Sequence, residues 1–308
     1  MFHINILIGF IHFKYVILFY LMQQSSPLIT TYPLPNRVFW IFICTFVLVF
    51  NTEGLVKEEL LRFFRPINPD LHIEDSDYAQ LQVCVSMAEA MARSTNSSLY
   101  IIDYNRKNFL YVSPNPLFLC GYSPDEVRKK GYAFYMDVVP ADEIQMLFEI
   151  NEAGFKFYDK QPKEKKLDMT IEYDFHIKAS DGHLHLIHHK LTPILLNSNG
   201  DMWLALCSVS LSPRTTVGNV IITCKDSSTH YSYSFEGKRW REQPNIILAE
   251  REKDILQLSV KGFSNTEIAE KLFIDVNTVK YHKKNLFYKL HAENITEAIG
   301  IATNLRLI

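Results

Sequence analysis

Cysteine and glycine are scarce in this 308-residue chain, and no pair of the five cysteines is spaced as C-x-x-C. Cys44, Cys84, Cys120, Cys207 and Cys224 are odd in number and far apart, which argues against a disulfide framework or a zinc ribbon. They read as small buried apolar residues in a reducing cytoplasm. The eleven glycines include no phosphate-cradling loop, and there is no Gly-x-Ser-x-Gly elbow and no His-Glu-x-x-His pair, so no enzyme activity is expected. A phospho-acceptor domain is not evident either. Basic charge is also missing: 32 Lys and Arg face 34 Asp and Glu, a formal net charge of -2. The chain is therefore no globally basic nucleic-acid binder, and any DNA contact must come from a local cluster of Lys and Arg.

At about 100–200 residues per domain the length implies two domains plus extras. Residues 1–54 form a hydrophobic segment. Ile4 to Met22 is apolar but for Asn5, Gly9, His12 and Lys14, and Val38 to Phe50 is an apolar run broken only by Thr45. A membrane helix wants about 20 apolar residues; the first run carries a lysine near its middle and the second is short. Two readings stand. Either the runs anchor the chain in the inner membrane, with Lys57, Arg62 and Arg65 keeping the remainder of the chain cytoplasmic, or translation starts near Leu55 or Val56. Met1 to Leu7 holds no Lys or Arg, so a secretory signal is not indicated.

Residues 55–79 read as a helical lead-in. From Asp75 to Arg93, Tyr78, Leu81, Val85, Ala88 and Ala92 recur at steps of three and four, marking one helical face. Ser97 to Tyr104 and Asn108 to Val112 are β-branched and aromatic runs split by Asn105-Arg106-Lys107, which predicts a hairpin. Further on, Ile171 to Lys178 and His183 to Leu191 flank Ala179-Ser180-Asp181-Gly182, whose Asp-Gly is a strong hairpin signal. Leu191 to Leu196 and Trp203 to Leu211 flank Asn197 to Asp201 in the same way. Between the two β regions stand Gly121-Tyr122-Ser123-Pro124-Asp125-Glu126 and Val139-Pro140-Ala141-Asp142. Over residues 80–212 this pattern resembles the PAS sensor fold, which implies a site for an unidentified small-molecule or protein signal. The fold alone does not name it.

Five histidines cluster here: His176, His183, His185, His188 and His189. Strand alternation places His183, His185 and His189 on one face and His188 on the other. Three on one face invite a zinc or heme site, but no nearby carboxylate or thiol completes a first shell. A solvated sheet face is the expected reading, with no metal and no cofactor assigned. Residues 213–243, with strands expected at Asn219 to Cys224, His230 to Phe235 and Lys238 to Arg241, read as a β linker ending at Gln243-Pro244.

Residues 244–308 change to helical periodicity. A first helix runs from about Ala249 to Lys261 and stops at Gly262. Ser264 and Glu267 then form an S-x-x-E capping box, flanked by Phe263 and Ile268 at staple positions. That helix ends near Leu272, Phe273-Ile274 turns the chain, and Asp275 caps a third helix reaching about Leu290. On it Val279, Leu286 and Leu290 share an inward stripe, while Lys280, Tyr281 and Lys284 point away with Asn277 and Tyr288 beside them. Val276 to Ala292 carries four lysines and no acid, so the positive charge missing overall is concentrated here.

The residues Glu250-Arg251-Glu252, Gly262, Ser264-Asn265, Glu267-Ile268-Ala269, Leu272, Asn277-Thr278-Val279-Lys280, His282, Asn285, Lys289-Leu290 and Glu297-Ala298 closely resemble the LuxR-type helix-turn-helix family. The resemblance implies an α+β chain in which a PAS-like antiparallel sheet with short helices precedes an all-α four-helix domain. It further implies that the third helix enters the major groove of double-stranded DNA, with base-edge contacts from Lys280, Tyr281 and Lys284 and phosphate contacts from Lys283, Asn285 and Lys289, and with Asn277 and Thr278 also in the interface. His282 is left as orienting or structural. Two departures stand out: Ala249 replaces the usual Ser or Thr cap, and Ile295 replaces a common basic residue. The fourth helix, with Ala298, Ile299, Ala302 and Leu305 on one side, either dimerises or closes the domain core. The function implied is transcription regulation by a homodimer in the cytoplasm, with RNA polymerase as a further contact. The alternative is a membrane-tethered signalling adaptor whose helical tail binds a protein partner.

Overall fold

The computed structural model describes residues 62–64, 67–79 and 81–308. The hydrophobic segment 1–54, with both expectations attached to it, lies outside the described residues. Among the described residues no helix is long and apolar enough to cross a membrane.

The amphipathic stripe after residue 74 forms two helices, α1 (Asp75–Tyr78) and α2 (Gln82–Ser94). Leu81 and Ala88 are buried, and Tyr78, Val85 and Ala92 pack beside them against Leu99, Ile101, Trp203 and Leu204 of the sheet. The first hairpin pairs β1 (Ser98–Asp103) with β2 (Asn108–Val112). Asp103 Oδ1 accepts from the backbone N–H of Asn105 and of Arg106, both at 3.0 Å, and Lys107 takes a left-handed φ of 54° to close the turn.

The helices α3 (Pro116–Leu119), α4 (Pro124–Lys130), α5 (Ala133–Val138), α6 (Ala141–Asp159) and α7 (Lys163–Lys166) follow. The Gly-Tyr-Ser-x-x-Glu motif acquires a physical meaning at the start of α4. Ser123 Oγ accepts from Glu126 N–H at 3.3 Å, and Glu126 Oε2 accepts from Ser123 N–H at 2.7 Å, a complete capping box. Gly121 sits at φ +94°, where an added Cβ would lie 2.5 Å from the Cβ of Ser180 in a distant turn. Only glycine fits there.

Three long strands come next, β3 (Met169–Lys178), β4 (Leu184–Leu196) and β5 (Met202–Leu211), their turns closed by Gly182 and Gly200 at positive φ. These five strands run in the order β2-β1-β5-β4-β3, a PAS-like antiparallel sheet with short helices. Tyr100, Ile102, Phe175, Ile177, Ile187, Cys207 and Val209 line the face under α3–α6, while their alternating neighbours form the face under α1 and α2.

The strands expected as a linker do something else. β6 (Gly218–Cys224), β7 (Thr229–Ser234) and β8 (Arg239–Pro244) hydrogen-bond onto the free edge of β3 and extend the same sheet to eight strands. An unpaired edge is an attractive template, and β6 satisfies it.

The histidines do not form a solvated face. His189 is 1% exposed in the core, its Nε2 against the Tyr100 hydroxyl at 2.5 Å, and burial holds its pKa down at about 3. His188, on the opposite face, is also buried, between Asp174 and Glu172. His183 is exposed beside Asp181. Among the described residues no group of His, Cys, Asp and Glu side chains converges as a metal site. Cys84, Cys120, Cys207 and Cys224 are free, and burial raises the Cys120 thiol to about 12 and Cys207 further still.

Candidate nucleic-acid interface

Four helices close the chain: α8 (Glu250–Val260), α9 (Asn265–Leu272), α10 (Val276–Leu290) and α11 (Ile295–Asn304). Ala249 precedes α8 without a side-chain acceptor. Half of a capping box survives, because Glu252 Oε2 accepts from Ala249 N–H at 2.8 Å. Gly262 ends the segment at φ +84° with no atom near its missing Cβ. Ser264 then caps α9, accepting from Glu267 N–H at 3.3 Å while Glu267 Oε2 accepts from Ser264 N–H at 2.8 Å. These bonds hold the Glu267 carboxyl below its ordinary range.

The turn into α10 is tight. Phe273 adopts a left-handed φ of 53°, and Ile274 N–H donates to the Ala269 carbonyl at 3.0 Å, satisfying a carbonyl at the end of α9. Asp275 Oδ1 accepts from Asn277 N–H at 2.7 Å and caps α10. The positive φ of Phe273 carried no sequence signal, since an aromatic residue there is costly. Its side chain is 95% exposed.

On α10, Val279, Leu286 and Leu290 are fully buried in the core of the four helices, with Ile255, Leu256, Ile268 and Ala298. Asn277, Lys280, Tyr281 and Lys284 are exposed together on the opposite side, with Tyr288 beyond them. Lys280 and Lys284 form no ion pair among the described residues, so their charge is available to an anion. The flanking residues Thr278, Lys283 and Asn285 are half-buried. Desolvation lowers the Lys283 pKa, as expected of an ammonium beside the core stripe.

Lys289 departs from the expectation. Its Nζ donates to Glu252 Oε2 at 2.7 Å and to the Ile247 carbonyl at 3.2 Å, and Glu252 is only 3% exposed. A buried carboxylate needs a compensating cation, so Lys289 ties α10 to α8. The fourth helix resolves the same way. Ala298 and Ala302 are fully buried in the domain's own core, with the partly buried Ile299 and Leu305 packed against it, so the alanines of this face help close the core.

Residues 247–302 match the family of bacterial regulatory proteins called luxR. These residues are a luxR-family helix-turn-helix domain. The oxygen regulatory protein NreC of Staphylococcus aureus (strain MRSA252) is 28% identical over 160 residues, 51% of this chain and 70% of that protein. Among solved structures, a response regulator ChrA of a heme-sensing two-component system is 44% identical over 21% of this chain and 33% of its own, with a TM-score of 0.21. Vibrio cholerae VqmA, described as a LuxR-type receptor, is 17% identical over 68% of this chain and 82% of its own, with a TM-score of 0.27. The 44% identity to ChrA thus covers a third of that chain, against 82% for VqmA.

Proposed function

We propose that this chain is a sequence-specific transcription regulator in which residues 80–212 sense a signal, 213–243 continue the sensor sheet and 244–308 bind double-stranded DNA. The observation that carries this reading is the exposed face of α10. Lys280, Tyr281 and Lys284 project to solvent from a helix whose start is set by a capped tight turn, as a recognition helix in a major groove requires. In this reading Lys280 and Lys284 donate to base acceptors and Tyr281 packs or bonds beside them, with Asn277 and Thr278 at the groove entrance. Lys283 and Asn285 hold phosphates. A homodimer would present two such helices to paired half-sites.

NreC is named an oxygen regulatory protein. That name supports a signal-responsive regulator; in this reading the PAS-like region takes a small-molecule or protein signal and RNA polymerase is a further contact. Residues 55–79 serve as the lead-in to the sensor, and the working site is cytoplasmic.

The test is DNA affinity against salt. Binding through phosphates falls with log salt at about -0.9 per phosphate contacted. An adaptor docking a protein through apolar surface would hardly respond, and a flat salt profile on duplex DNA would reject the regulator reading.

A further inference from the structure

The outer face of the sensor sheet carries a cluster of charges that the DNA-binding face does not use. Glu172 and Asp174 on β3 and His188 on β4 are each under 9% exposed. His188 Nδ1 lies 2.9 Å from Asp174 Oδ1 and its Nε2 lies 3.0 Å from Glu172 Oε2. A neutral imidazole donates through one nitrogen only, so facing a carboxylate at both ends requires the imidazolium. Lys190 Nζ, on the same strand, is 3.0 Å from Glu172 Oε2. Two buried carboxylates thus meet two cations, with Arg214 lining the same recess.

The element that covers this cluster is α11. Ile301, Asn304 and Leu305 line the recess together with Asp174, His188 and Pro213. Lys190 Nζ also donates to the Asn304 carbonyl at 2.8 Å, capping the carboxy-terminal end of α11 with positive charge. A second observation is steric. Gly300 interrupts α11, where glycine is less favourable than alanine by about 1 kcal/mol. A Cβ added there would lie 2.3 Å from the Cβ of Pro213 in the loop after β5. The glycine is the residue that lets helix and loop touch.

We propose that the Glu172, Asp174, His188 and Lys190 cluster and the Gly300–Pro213 contact form a lock that fixes the helix-turn-helix domain to the sensor sheet, and that the sensor's signal reaches DNA through this joint. Resting on the DNA-binding reading above, the joint controls orientation and not access, because the α10 face remains exposed while α11 is docked. Docking pre-organises the reading helices, and release makes paired-site binding pay for ordering them.

The experiment compares amide relaxation by NMR in the full-length wild type, Gly300→Ala, Lys190→Met and the control Lys178→Met, whose lysine is exposed at the end of β3. In the wild type and the control, residues 250–304 tumble with the sheet. In Gly300→Ala and Lys190→Met their tumbling time falls on the order of twofold, the mark of a tethered independent domain. On a duplex selected from a random pool by the wild type, both variants bind several-fold more weakly. Independent tumbling in the wild type, unchanged tumbling in both variants, or release without loss of affinity would each overturn the proposal. Gly300→Ala also improves the helix propensity of α11, so helical amide shifts in that variant separate release from unfolding. If the wild type selects no DNA, the regulator reading fails, whatever the relaxation data give for the joint.

Discussion

Lys289→Met separates a structural lysine from a DNA-contacting one. The methionine keeps the apolar stem but removes the ammonium that faces Glu252 Oε2 at 2.7 Å and the Ile247 carbonyl at 3.2 Å. Glu252, 3% exposed, keeps one bond, from Ala249 N–H. Breaking a fully buried ion pair costs about 3–5 kcal/mol, whereas exposed pairs contribute about 0–1 kcal/mol. The lysine side chain is 36% exposed, so solvent replaces part of what is lost and the expected destabilisation is about 1–2 kcal/mol. Urea unfolding followed by the helical signal measures it, and a cycle with Glu252→Gln should recover a coupling of about 1 kcal/mol. In the same preparations, the slope of DNA affinity against salt should stay at the wild-type value. Lys283→Met, which keeps the apolar stem of a half-buried lysine with no ion pair among the described residues, should do the reverse, changing stability little and lowering the slope by about one. A Lys289→Met protein of unchanged stability but shallower salt slope would refute the assignment and return Lys289 to the phosphate contacts.

Lys280→Ala should relax base preference at one position by about 1–3 kcal/mol in a selection experiment, while Lys283→Ala weakens all sequences alike. Ala249→Ser supplies the acceptor that α8 lacks and should raise stability by about 0.5–1 kcal/mol in urea unfolding, since Glu252 already completes the other half of the box. Asp275→Ala, which removes the cap of α10, should lower it by about 1 kcal/mol. His189 is buried neutral with its pKa at about 3, below its unfolded value. Its contribution is complete above pH of about 6.5 and is lost, at up to about 1.4 kcal/mol per pH unit, as pH falls toward 3. His189→Phe should flatten that acid limb in unfolding measured across pH.

Local chemistry made much of the fold legible. Hairpin turns were readable because Asn105-Arg106-Lys107 and Asp181-Gly182 close their loops with nearest neighbours. The helix ends at Gly262, Ser264 and Asp275 were readable because caps act within one turn. The exposed face of α10 followed from helical spacing alone, since the residues opposite Val279 and Leu286 point outward whatever the core contains. The destination of β6 was not readable, because its partner β3 lies about forty residues away and pairing leaves no local mark. Nor was the burial of His188 and His189. Alternation separates the two side chains, but which sheet faces are covered depends on α1–α6 and α11.

By itself the sequence determined a luxR-like third helix with Lys280, Tyr281 and Lys284 outward, and hairpins arranged as in a PAS-like sheet. Both are set by interactions within a few residues. The tertiary structure decided how the lysines of that helix divide. Lys280 and Lys284 stay free, while Lys289 compensates a carboxylate that the packing of α8 buries. It also decided that the alanines of α11 help close the core of their own domain while Gly300 meets Pro213. Burial and close approach are properties of chain segments far apart in sequence, and only their packing brings them together.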